Sequence, residues 1–164
     1  MTAATLGTAC SDGPEQRKPL EVDTELTTEQ KAAGILTPEV MWKMGRIGAH
    51  TLSPDGSQVV YNATWYSIEE NRSVSNLYIV PADGGEPRQL TDNAGSDSSP
   101  YWDVVGDPIY CMSNRSGDSQ TWVVKSDGSR LRQFSHIDGG IEGYGMSPSA
   151  AKSLNIQPVD FSNR

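Results

Sequence analysis

The feature that most constrains the fold of this 164-residue sequence is a pattern that recurs at a fixed spacing. An alternating strand, an Asp-Gly turn and a second short strand occur at residues 77–91 and again at 121–135. Asp83 of the first turn and Asp127 of the second are 44 residues apart. Another strand pair precedes each copy, so that one unit holds four short strands. A period of about 40 to 50 residues with four strands per unit is typical of a β-propeller blade.

The preceding strand pairs are recognised by their turns. In Ser-Pro-Asp-Gly-Ser at residues 53–57, the proline fixes φ at the second turn position and the glycine accepts a left-handed backbone. Residues 58–61, Gln-Val-Val-Tyr, have the β-branched and aromatic side chains that favour a strand. The second copy has Gly106 and Asp107 in a less regular turn, and a third copy keeps Ser147-Pro148 without the Asp-Gly.

The repeats predict an all-β protein, specifically a partial β-propeller of about two and a half four-stranded blades in residues 48–157. The blades are expected near 48–91 and 98–135, with the start of a third from 141. Because propellers close with about 4 to 8 blades, we expect either missing blades in a longer protein or self-association through the open blade face. A β-sandwich is the alternative fold.

A short helix is expected at residues 36–47, before the first blade. Thr37 is a good N-cap, Pro38 suits the first helical position, and Gly45 can end the helix. Three residues at helical spacing form one apolar face: Val40, Met41 and Met44. We therefore expect the helix to pack against a sheet.

The charge and the cysteine content exclude several classes of function. With 13 Lys and Arg against 21 Asp and Glu, the net charge is −8, so the clustered basic surface that binds nucleic acid is not expected. Cys10, Cys111, His50 and His136 are too widely separated to indicate a zinc site or a disulfide framework. We expect no metal and no cofactor. No apolar run reaches the roughly 18 residues of a membrane span.

Residues 1–35 are interpreted as a truncated export signal and a linker. Small residues precede Cys10, as at the end of a bacterial lipoprotein signal, where the cysteine becomes lipidated. The expected location is therefore exported, either periplasmic or lipid-anchored to a bacterial membrane. Because no basic residue and no long apolar core precede Cys10, an incidental cysteine in a polar N-terminus is the alternative. Residues 158–164 are interpreted as a polar tail.

From Leu36 to Leu154 the chain resembles the prolyl oligopeptidase family of serine peptidases, especially its bacterial dipeptidyl-peptidase and acylaminoacyl-peptidase-like members. The resemblance rests on the helix and first blade at 36–71 and on the repeats at 77–91 and 100–135. The propeller of the Tol translocation system is similar to these repeats. The family resemblance implies an N-terminal propeller that gates access of peptide substrates to a C-terminal α/β-hydrolase domain.

The sequence contains no catalytic triad that we can identify, and we predict no catalytic residue. A nucleophile elbow needs Gly-x-Ser-x-Gly, and the nearest match, residues 145–149, lacks the last glycine. His136 has no identifiable acid or oxyanion hole to serve Ser147 as a base. Peptide hydrolysis by this chain alone is therefore not expected. The alternatives are a non-catalytic periplasmic propeller that binds protein partners, and a truncated reading frame without an independent role.

The predicted substrate-binding residues are Glu69 and Glu70, in the polar segment between the second and third strands of the first blade. The resemblance implies this role, because dipeptidyl peptidases of the family use a Glu-Glu pair to hold the free amino terminus of a peptide. Two adjacent carboxylates can accept charge-assisted hydrogen bonds from an ammonium group. The alternative is a pair of glutamates that only faces water.

Overall fold

A computed structural model describes residues 18, 20–147 and 152–158 of the chain. Two short helices precede ten strands. The helices are α1 (Thr28–Ala33) and α2 (Pro38–Trp42). The strands are β1 (Arg46–Leu52), β2 (Gln58–Ser67), β3 (Arg72–Pro81), β4 (Arg88–Gln89), β5 (Asp97–Trp102), β6 (Pro108–Ser116), β7 (Asp118–Lys125), β8 (Arg132–Gln133), β9 (Gly143–Met146) and β10 (Ser153–Ile156).

Helix α1 lies within the stretch interpreted from sequence as a linker. The side chain of Thr27 accepts a hydrogen bond from the N–H of Gln30, and the side chain of Gln30 accepts one from the N–H of Thr27. This reciprocal pair is a capping box, which satisfies two free N–H groups at the start of the helix. Gly34 ends α1 in the left-handed conformation, at φ 61°.

Helix α2 begins where the sequence predicts but ends earlier than Gly45. Thr37 caps it by accepting a hydrogen bond from the N–H of Val40. The N–H of Lys43 bonds to the carbonyl of Val40, which tightens the last turn and ends the helix. Val40 is buried, whereas the other two residues of the expected apolar face, Met41 and Met44, remain exposed.

The strands form two four-stranded antiparallel sheets and one strand pair. The first blade has the order β1-β2-β3-β4, the second has the order β5-β6-β7-β8, and β9 pairs with β10 at the start of a third. The β2–β3 hairpin is the most regular element, with ten consecutive residue pairs from Gln58 opposite Pro81 to Ser67 opposite Arg72. Strand β5 packs against β1, β2 and β3, so that successive blades lie side by side.

The turn between the first two strands of each blade is closed in the same way in all three blades. The closing hydrogen bond runs from the N–H of the first turn residue to a carbonyl five residues later: Ser53 to Gln58 at 2.8 Å, Asp103 to Pro108 at 2.9 Å, and Ser147 to Lys152 at 2.9 Å. The third copy therefore keeps the closing hydrogen bond although its Asp-Gly has been lost.

The main hydrophobic core lies between the first two blades. Its members are fully or almost fully buried side chains from both sheets: Val60, Leu77, Ile79 and Leu90 from the first, and Trp102, Ile109, Cys111 and Val124 from the second. Burial raises the pKa of the Cys111 thiol, because the thiolate would lose its hydration there. Cys111 is therefore a core residue.

The first turn also holds an unusually acidic carboxyl group. Asp55 accepts hydrogen bonds from the hydroxyl of Ser53 (2.6 Å) and from the N–H of Ser57 (3.0 Å), and these lower its pKa from 3.8 to about 2. A lowered pKa stabilises the fold above the unfolded-state pKa. We expect this contribution to be lost as the pH falls from about 4 towards 2.

A carboxyl-carbon NMR titration checks the prediction for Asp55. The Asp55 signal should titrate near pH 2 in the parent chain and at a higher pH in Ser53→Ala, because that variant loses the hydrogen bond that lowers the pKa of the carboxyl group most. An identical titration in parent and variant would contradict the prediction.

Candidate functional site

The predicted site residues lie at the tip of the β2–β3 hairpin. Because Ser67 pairs with Arg72, the four residues between them form the turn. The N–H of Asn71 bonds to the carbonyl of Ile68 at 3.2 Å, and Asn71 takes a positive φ of 47°. Asparagine tolerates this conformation better than most residues. The regular pairing of the two strands therefore fixes Glu69 and Glu70 at an exposed tip.

The two glutamates have different surroundings. The carboxylate of Glu70 lies 3.8 Å from the Nε atom of Arg72, and the same guanidinium donates to the backbone carbonyl of Lys18 at 3.0 Å. An exposed ion pair of this kind contributes little to stability, about 0–1 kcal/mol. Glu69 instead lines a cleft next to helix α2. The structure thus gives Glu70 a cationic neighbour and directs Glu69 to an open space.

This cleft has a volume of about 510 Å³ and lies between the hairpin tip, helix α2 and the segment at residues 21–23. Its wall is partly apolar and partly acidic. The apolar part consists of Trp42, Tyr66 and Ile68, and the carboxylates are Glu21, Asp23, Glu39 and Glu69. We refer to it as the acidic cleft.

One carboxylate of the acidic cleft is already paired. Lys43 Nζ lies 2.6 Å from Asp23 Oδ2 and also donates to the carbonyl of Glu25 at 2.8 Å. The hydrogen bond from Lys43 lowers the pKa of Asp23. Hydrogen bonding at the start of α2, from its own backbone N–H and then from Thr37, lowers the pKa of Glu39. The lining therefore carries more negative than positive charge at neutral pH, which favours a cationic ligand.

The aromatic wall of the cleft contacts a cation within the protein. The rings of Trp42 and Tyr66 meet edge to face, with centroids 5.8 Å apart. The guanidinium of Arg46 lies 5.0 Å from the Trp42 ring and 4.6 Å from the Tyr66 ring. These are cation–π distances. A second depression of about 370 Å³ continues past the same rings and Ile68 to Arg72.

The residues considered for a catalytic triad lie outside the cleft. Ser147 is in the β9–β10 turn, where its Oγ accepts a hydrogen bond from the N–H of Lys152 at 3.1 Å. His136 is exposed in the segment after β8. Within residues 18, 20–147 and 152–158, no group of three or more His, Cys, Asp or Glu side chains could hold a metal ion. Neither Ser147 nor His136 lines the acidic cleft.

Two features of the N-terminal part bear on location. Cys10, the lipidation candidate, lies outside the described residues. Neither of the helices in the described part of the chain has the length and apolar character needed to cross a membrane.

Sequence reasoning located the glutamate pair but missed most of the cleft. Trp42, Tyr66 and Arg46 come from α2, β2 and β1, and their meeting depends on how α2 packs on the sheet. The sequence contains one indication of this contact, which is the apolar face of the helix and the packing against a sheet that it predicts. It did not indicate which strand the helix would contact.

The chain is similar in sequence to known peptidases and similar in fold to known propellers. No family model matches it. It is 36% identical over 141 residues to dipeptidyl-peptidase 5 of Porphyromonas endodontalis, a match that covers 86% of this chain and 20% of that protein. A TolB-like protein of Agrobacterium tumefaciens has a similar structure, with 27% identity and a TM-score of 0.55, over 68% of this chain and 38% of that one.

An acylaminoacyl peptidase of Pyrococcus horikoshii shares the fold, with 16% identity and a TM-score of 0.57, over 70% of this chain and 17% of that chain. The chain spans about a fifth of the length of the two curated dipeptidyl-peptidases to which it is 36% identical. The neighbours confirm the predicted partial all-β propeller. In sequence and in fold, the chain is similar to the N-terminal propeller part of a peptidase of the prolyl oligopeptidase family.

Proposed function

We propose that this chain is the N-terminal propeller of an exported serine peptidase and that it gates the access of peptides to a C-terminal α/β-hydrolase domain. The observation that carries the proposal is the 36% identity to a dipeptidyl-peptidase over 141 residues. The proposed location is periplasmic, or lipid-anchored through Cys10. The supporting observation is the run of small residues before that cysteine.

Within this function, Glu69 and Glu70 hold the free amino terminus of the peptide. Glu69 supplies a carboxylate at the acidic cleft, and the exposed Glu70 can exchange its 3.8 Å contact with Arg72 for a ligand ammonium. The Trp42 and Tyr66 rings offer an apolar surface beside the carboxylates for the first side chains of the peptide. Peptides with a free amino group are therefore the proposed ligands.

A binding measurement on the chain tests this proposal. Isothermal titration calorimetry with a tripeptide that has a free amino terminus should show binding, and N-acetylation of the same peptide should weaken it at least about tenfold. A factor of ten corresponds to about 1.4 kcal/mol, within the range of one charge-assisted hydrogen bond. The Glu69→Gln, Glu70→Gln double variant should lose the discrimination, because it retains shape but not charge.

The matched control is Glu86→Gln, a glutamate in the exposed β3–β4 connection. It changes the charge by one unit without touching the acidic cleft, so it should keep the preference for the free amino group. Equal affinity of the parent chain for the free and the acetylated peptide would contradict the proposed role of the pair. So would a loss of this preference in Glu86→Gln as large as that in the Glu69→Gln, Glu70→Gln double variant.

A second candidate function is a non-catalytic periplasmic propeller that binds protein partners. The observation that favours it is the similarity to the TolB-like structure at 27% identity. This candidate predicts no dependence of binding on a free amino group. The acetylation experiment therefore separates the two functions.

A further inference from the structure

The rings of Trp42 and Tyr66 adjoin two spaces of opposite charge. One is the acidic cleft. The other is the second depression, of about 370 Å³, and of the described residues that line it Arg72 alone carries a charge. The two rings and Ile68 line both spaces, whereas Arg46, which lies against the rings, lines neither. An apolar surface therefore connects the carboxylates of the acidic cleft with a cation. We refer to the second space as the cationic depression.

The guanidinium of Arg72 has unused capacity for hydrogen bonds. A guanidinium carries five N–H donors and no acceptor. In the part of the chain that the structure describes, this side chain makes one hydrogen bond, from Nη2 to the carbonyl of Lys18 at 3.0 Å. Its Nε atom lies 3.8 Å from the carboxylate of Glu70, which is close enough for an ion pair but too far for a hydrogen bond. The side chain is 33% exposed, so a ligand can reach it.

Two exposed polar side chains, those of Asn71 and Ser73, flank Arg72 in the same lining. They add amide and hydroxyl donors for an anionic group. Arg72 itself is fixed from two directions, because its backbone pairs with Ser67 across the hairpin and its guanidinium bonds to the carbonyl of Lys18. The cationic depression thus presents hydrogen-bond donors together with one positive charge, and this combination suits a carboxylate.

Binding of an amino group at Glu70 changes the surroundings of Arg72. When the carboxylate of Glu70 takes up the ammonium group of a ligand, it gives up its 3.8 Å contact with the guanidinium. Arg72 is then left without its acidic neighbour. A ligand that also carries a carboxylate supplies a new one. A weak, exposed ion pair is thereby exchanged for two charge-assisted contacts with the ligand, and the contact between arginine and carboxylate is often bidentate.

We infer that Arg72 is a second ligand-binding residue of this site and that it takes a carboxylate of the bound peptide. This inference rests on the proposed function, because the amino group of the same peptide lies with Glu69 and Glu70. The favoured ligands are short peptides with a carboxylate near the amino terminus. That carboxylate is either the C-terminal one or the side chain of an acidic second residue. The shared surface of Trp42 and Tyr66 contacts the part of the peptide between its two charged groups.

Three tripeptides with a free amino terminus test the inference by isothermal titration calorimetry. Ala-Gln-Ala-amide has no carboxylate, Ala-Gln-Ala has only the C-terminal one, and Ala-Glu-Ala-amide has only the side-chain one. At least one of the two acidic peptides should bind the chain at least about fivefold more tightly than the reference amide, and the comparison identifies which carboxylate Arg72 takes. Arg72→Gln should abolish this gain and should not weaken binding of the reference amide, because Glu70 remains available.

Arg132→Gln is the matched control. Arg132 is an exposed arginine in β8 of the second blade, so the variant loses the same charge away from the cationic depression. It should keep the full gain, and circular dichroism should first show that both variants keep the fold of the parent chain. Equal affinity of the parent chain for the three peptides would overturn the inference. A gain that persists in Arg72→Gln, or one that Arg132→Gln loses to the same extent, would overturn it as well.

Acetylation of the reference amide tests the proposed function separately, because this peptide has no carboxylate for Arg72. If acetylation weakens its binding while neither acidic peptide binds more tightly, the present inference fails and the proposed function stands. If the acidic peptides bind more tightly but acetylation has no effect, the carboxylate contact of Arg72 stands and the proposed role of the glutamate pair fails. No binding of any of the three peptides would overturn both.

Discussion

Replacing Arg115 with methionine should lower the free energy of unfolding by about 3–5 kcal/mol. Asp97, its partner, is 0% exposed, and the ion pair measures 2.6 Å between Arg115 Nη2 and Asp97 Oδ2. The other carboxylate oxygen accepts a hydrogen bond from Asn93 Nδ2 at 2.9 Å. Removing the arginine leaves a buried carboxylate without its counter-charge, and this loss is far larger than the worth of an exposed ion pair.

Arg115 has further contacts that fix its position. Its Nε atom donates to Ser113 Oγ at 3.0 Å, and its guanidinium lies 5.1 Å from the ring of Trp122. Trp122 packs against the core between the first two blades. The ion pair therefore connects the start of β5 to the β6–β7 hairpin and to the core, so its loss should affect the whole second blade.

Lys125→Met provides a matched control in the same blade. Lys125 Nζ lies 3.6 Å from Asp107 Oδ2, and both side chains are substantially exposed, at 38% and 42%. Losing this pair should cost about 0–1 kcal/mol. Adding Asp97→Asn to Arg115→Met should recover part of the loss, because the buried charge is removed. Urea unfolding of the four proteins measures these differences, and equal losses for the two single variants would contradict the prediction.

The fold could be predicted because the repeat encodes it locally. The Pro-Asp-Gly turn at 53–57 and the alternating strand after it depend on residues close in sequence, and so does the 44-residue recurrence of the hairpins. The contacts between blades could not be predicted. Arg88 reaches a turn 38 residues later, and only the packing of the two sheets brings them together.

The candidate site was predictable only in part, for the same reason. The position of Glu69 and Glu70 in a hairpin turn follows from the local strand pattern on either side. The acidic cleft depends on where α2 and residues 21–23 lie against β2, which no periodicity in the sequence specifies. Helix α2 also ends at Trp42 because of a tight last turn, although the spacing of apolar residues continues to Met44.

The second large effect is expected from Leu77→Ala, which should lower the free energy of unfolding by about 2–5 kcal/mol. Leu77 is 0% exposed and belongs to the core between the first two blades. Its backbone carbonyl accepts hydrogen bonds from the N–H groups of Leu90 and Thr91, and these do not depend on the side chain. The variant therefore removes apolar contact and leaves a cavity while the outer strand stays paired.

Leu52→Ala makes the same chemical change at a side chain that is 55% exposed, in β1 of the same sheet, and it should cost about 0.5 kcal/mol or less. Since both blades contribute side chains to one core, we expect Leu77→Ala to shift a single cooperative unfolding transition rather than to uncouple the blades. Differential scanning calorimetry distinguishes these outcomes. Two separate transitions in the parent chain, or equal losses for the two leucine variants, would mean that the contact between the blades contributes little and that each sheet is stable without its neighbour.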